Sequence, residues 1–235
     1  LVGMFGSQTV EAADACEILR VAMERMEDPS WLVRLLDNNP QADDENHPDR
    51  QREIALLVGR NGKEAIDARL ARVEAWLGGQ NPGVLSAACI VLSEIFSWGI
   101  SGEEDRSSVR DGIISRFAGT LYSLFPSFRD SSGFQQQAID VLGMFFDHAP
   151  GLTVDRLLEN ICRTPFLNMS DFTAGNGDLI RWIGVDPAFV AERAGPMMSE
   201  SRSNGLVLGN LLVELGPAVV RGLLQSRSGT TPAPE

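Results

Sequence analysis

The chain has 235 residues, of which 43% are apolar and 22% charged, ordinary globular usage that excludes wholesale disorder. Thirty-two acids face twenty bases, for a net charge of −12, and without Lys and Arg clusters the chain is a poor nucleic-acid binder and a poor ligand for anionic membranes. No apolar run approaches the roughly 18 residues a membrane helix needs, and no basic-then-apolar leader is visible, so neither a span nor a secretory signal is expected.

Helical periodicity dominates, and no stretch sustains the period-two alternation of a strand. Thr9 is placed to cap a first helix over about 10–27, broken by Asp28-Pro29-Ser30. A second short helix carries Trp31, Leu32, Leu35 and Leu36. Residues 38–48, NNPQADDENHP, offer no apolar anchor beyond Ala42 and read as an exposed acidic loop. A helix over 49–60 turns Ile54, Leu57 and Val58 inward. The clearest helix spans about 63–77: Ile66, Leu70, Val73 and Leu77 form one stripe, with Arg69, Arg72 and Glu74 elsewhere on the wheel. Gly78-Gly79-Gln80-Asn81-Pro82 stops it. The next helix, 83–98, is apolar on most faces (Val84, Leu85, Ala88, Val91, Leu92, Ile95, Phe96) and should lie between neighbours.

Ser101 and Glu104 have capping-box spacing and open a long helix to about Phe125, with Ile113, Phe117, Leu121 and Phe125 on its inner stripe. After the loop 126–133, a helix over 134–147 carries Phe134, Ala138, Val141, Leu142 and Phe145. Pro150-Gly151 reads as a break and Thr153 as the cap of a helix over 154–163. Residues 164–177 read as irregular, followed by shorter helices over 178–184, 186–198, 204–215 and 217–225, and a tail over 226–235 without core residues.

Helix pairs with Pro and Gly punctuation invite a search for repeats. PGVLSAACIVLSEIF (82–96) and SGFQQQAIDVLGMFF (132–146) align without gaps, matching Gly83 with Gly133, Ala88 with Ala138, Val91-Leu92 with Val141-Leu142 and Phe96 with Phe146. Here the chain resembles a HEAT-like α-solenoid. KEAIDARLARVEAWLGGQNPGVLSAACIVLSEI looks like one HEAT hairpin, and HPDRQREIALLVGRNG (47–62) like the second helix of a preceding one. The turn lacks the family's usual Asp, no Arg follows Val84, and the repeat lengths are irregular. The resemblance covers roughly 47–148 and implies a scaffold that offers a concave surface to other macromolecules. The expected fold is therefore all-α, antiparallel hairpins stacked as an irregular HEAT-like solenoid, with a compact helical bundle as the alternative. The expected organisation is a single domain over 1–225, comprising acidic N-terminal helices and loop (1–49), a hairpin array (50–163) and C-terminal helices (164–225).

Motifs for chemistry are sparse. Asp147 and His148 are adjacent near a helix end, but neighbours on a helix point different ways. Asp43, Asp44, Glu45, His47 and Asp49 lack the Gly and spacing of a calcium loop. Gly175-Asn176-Gly177-Asp178 lacks the preceding strand of a phosphate loop, so Asp178 reads as a helix cap. Cys16, Cys89 and Cys162 are far apart and read as buried structural thiols, with Arg163 the one base beside any of them. Trp31, Trp76, Trp98 and Trp182 read as core or edge packing unless exposed, because an exposed indole is a typical interface anchor. No catalytic residue, cofactor or metal site is assigned.

Charge is the informative feature. Residues 1–49 hold eleven acids and three bases, net −8, whereas the remaining 186 residues hold 21 acids and 17 bases, net −4. Such an acidic end steers a basic partner, although a solvated face that aids solubility has the same composition. Asp43, Asp44, Glu45, Asp49, Glu24, Glu27 and Asp28 are the candidate partner-binding residues. Nineteen of the twenty bases are Arg; Lys63 is the exception. GC-rich coding explains that bias simply; selection against lysine modification, as in injected effectors, is the sharper alternative. The sequence reading is a non-enzymatic, cytoplasmic interaction protein of bacterial type, an immunity/antitoxin or adaptor protein for a basic protein partner, with no nucleic acid or membrane. The alternative is a translocated effector or enzyme with dispersed active-site carboxylates.

Overall fold

The computed structural model describes residues 55, 56, 58, 59, 65–98, 106–125, 132–163 and 183–216. These residues are helical throughout apart from short turns, with no strand among them. Seven named helices follow in order: α1 (Ile66–Leu77), α2 (Pro82–Ser97), α3 (Arg106–Leu124), α4 (Ser132–His148), α5 (Pro150–Arg163), α6 (Pro187–Glu200) and α7 (Arg202–Leu215). The chain divides into two compact units, one of Leu1–Ile113 with Phe128–Val141, the other of Ile114–Ser127 with Leu142–Glu235.

In the first unit, α1 and α2 pack as a hairpin across the turn 78–81. Asn81 sets the start of α2: its Oδ1 accepts from the Gly83 N–H at 2.9 Å and the Val84 N–H at 3.4 Å, and Pro82 occupies the first turn, where no N–H is needed. Leu70, Val73 and Leu77 are buried as the stripe requires, while Ile66, at the helix start, is half-buried. Of the seven apolar residues marked on α2, all but Val84 are buried, as is Glu94.

Arg69 departs from the sequence reading. It is buried at 2% exposure, and its Nη1 donates to the Gly59 carbonyl at 3.0 Å. Gly59 is also a point of close approach, because a Cβ there would lie 2.4 Å from Glu94 Cβ on α2. Two residues further along α2, Arg110 of α3 donates from Nε to the Phe96 carbonyl at 3.1 Å, its guanidinium 5.3 Å from the centre of the Phe96 ring. A cation there meets the carbonyl-rich, partially negative end of the helix.

The expected inner positions of α3 and α4 are all buried, joined on α3 by Ile114, Ala118 and Tyr122. The start of α3 is Arg106; the proposed capping box at Ser101 and Glu104 lies outside the described residues. Helix α4 begins two residues earlier than expected, at Ser132. The aligned pair 82–96 and 132–146 therefore falls on α2 and α4, with Ala88 and Ala138, Val91 and Val141, and Leu92 and Leu142 buried at equivalent positions, while Gly83 is buried and Gly133 exposed.

In the second unit, α5 opens at Pro150, with only Ala149 between it and the end of α4, rather than at 154. Thr153 is not its cap. It sits buried in the first turn, and its hydroxyl donates to the Ala149 carbonyl at 2.9 Å. The apolar face of α5 (Val154, Leu157, Leu158, Ile161) is buried, and α5, α6 and α7 pack against one another. Asp186 caps α6 through the Ala188 N–H at 2.8 Å, and Ser201 caps α7 through the Asn204 N–H at 3.0 Å. Gly205 permits the close approach of α6 and α7, since a Cβ there would stand 3.2 Å from the Met198 carbonyl oxygen. Gly216, with φ 111°, ends α7 in a conformation that suits glycine. No helix among the described residues is long and apolar enough to cross a membrane.

Candidate functional site

The seven candidate partner-binding acids, Glu24, Glu27, Asp28, Asp43, Asp44, Glu45 and Asp49, lie outside the described residues, together with His47, Cys16, Trp31, Trp182 and the 175–178 turn. Exposed apolar side chains supply a different kind of candidate surface. Trp98, the residue that ends α2, is 69% exposed. Its backbone N–H still donates to the Glu94 carbonyl at 2.9 Å, so the helix fixes its main chain while the indole faces solvent. Burying an indole of this size is a large apolar gain, and its exposure departs from the core or edge packing expected of it. Trp76, by contrast, is half-buried.

The second exposed feature was not read from the sequence. Leu206 and Val213 on α7 are 63% and 68% exposed. Seven residues apart, they share one face of the helix. The signal was available: RSNGLVLGNLLVEL is apolar on more faces than one packing stripe uses, the same property that placed α2 between neighbours. Val207, Leu208, Leu211, Leu212 and Leu215 occupy the buried side and leave Leu206 and Val213 outside.

The titratable groups point to packing. Burial pushes the Cys89 thiol and the Tyr122 hydroxyl well above their ordinary ranges. Cys162 is half-buried rather than buried, and its thiol is also pushed up, first by desolvation and then by the carboxylates of Glu200 and Glu159. Arg163, the base beside it in sequence, places its Nη2 3.7 Å from Glu159, which also accepts from Arg156 at 2.7 Å. A thiol held in its neutral form is a poor nucleophile.

Asp147 is exposed and His148 half-buried at the end of α4. Arg193 of α6 reaches Asp155 of α5 with two parallel N–H donors, Nε to Oδ1 at 2.7 Å and Nη2 to Oδ2. This bidentate pair raises the Arg193 pKa and ties the two helices together. The guanidinium lies along the first turn of α5, where a Cβ on Gly151 would stand 3.4 Å from it. Among the described residues no cluster of three His, Cys, Asp or Glu side chains is placed to hold a metal ion. Comparison with protein-family models, with curated proteins and with solved structures finds no match for the chain.

Proposed function

We propose that the chain is a non-enzymatic protein–protein interaction module whose partner is a basic protein, acting in the cytoplasm as an immunity/antitoxin or adaptor protein. The observation that carries the reading is the exposed indole of Trp98, a side-chain type enriched among interface anchors, held at the fixed end of a buried helix. The partner's chemistry rests on charge: net −12 overall, with −8 in residues 1–49. Clustered carboxylates attract and orient a cationic surface before contact. The HEAT-like reading of 47–148 belongs to this proposal, with stacked hairpins as the scaffold. One observation favours the effector alternative, the single lysine among twenty bases.

Affinity capture from the native lysate, with partners identified by mass spectrometry, tests the proposal. The native chain is expected to retain a basic protein, and Trp98→Ala to bind it at least about tenfold more weakly, as loss of an interface anchor implies. The far-ultraviolet circular dichroism of the variant should match the native chain, since the indole is exposed. Capture of no basic protein, or equal binding by a folded Trp98→Ala variant, would overturn it.

A further inference from the structure

We draw no further inference here: the strongest candidate, the exposed outer face of α7 bearing Leu206 and Val213, is an unpartnered apolar face, and nothing in the structure shows what covers it.

Discussion

Leu70 and Gly59 show how far single residues govern the first unit. Leu70 is 5% exposed on the buried stripe of α1. Truncating it removes apolar contacts and leaves a cavity, so Leu70→Ala should lower stability by about 2–5 kcal/mol in urea unfolding. A loss below about 0.5 kcal/mol, a typical surface value, would place that stripe at the surface. Two glycines give opposite signs for one substitution. At Gly59 the added methyl would collide with Glu94 Cβ, so Gly59→Ala should destabilise by about 1–3 kcal/mol. At Gly143, inside α4, the methyl would meet nothing within 4 Å, and Gly143→Ala should stabilise by about 0.5–1 kcal/mol through backbone entropy and helix propensity. Thermal unfolding of the two variants checks the contrast. Arg69 marks the limit of the sequence at this scale. At 3.6 residues per turn it stands about 60° from Ile66, on the border of the apolar stripe rather than across from it. Its buried guanidinium donates to the Gly59 carbonyl ten residues earlier, a contact that periodicity does not encode.

Helices were more legible than their ends. The 3.6-residue period located every named helix, because each must bury an apolar face. Boundaries depended on Pro and polar residues with two possible meanings. Pro150-Gly151 reads as an interruption, yet Pro also suits a first helical turn, and the structure uses it to open α5 after a one-residue joint. Thr153 had the composition of a cap but bonds back to the preceding turn instead. The pairing of α5 with α6 was invisible in sequence, because Asp155 and Arg193 are 38 residues apart. Their side chains are 28% and 39% exposed, so water screens the pair and its bidentate geometry places it at the upper end of surface values. A double-mutant cycle with Asp155→Asn and Arg193→Met should give a coupling of about 0.5–1 kcal/mol that falls in high salt. Zero coupling would make the pair incidental to the packing of α5 on α6.

At the scale of the molecule, the all-helical class of the described residues was legible from composition and period, whereas the candidate surface was legible only in part. Charge counts locate the acidic end without coordinates, but they do not distinguish a buried indole from an exposed one. Trp98 and the Leu206–Val213 face needed the fold, because exposure at a helix end or on an outer helix is set by which neighbours are present. In the proposed reading, the partner's sign rests on the acidic residues of the N-terminal segment, net −8 over 1–49. Charges at an interface rim accelerate encounter and are screened over about 8–10 Å at physiological salt. The most direct test is the stopped-flow association rate with the captured basic partner, across low to moderate salt, for the native chain and for the combined Asp43→Asn, Asp44→Asn and Glu45→Gln variant. Steering by these carboxylates predicts slower association of the variant at low salt, a flatter salt dependence and unchanged folding stability. Equal association rates at low salt would contradict it and reduce the acidic loop to a solubility feature.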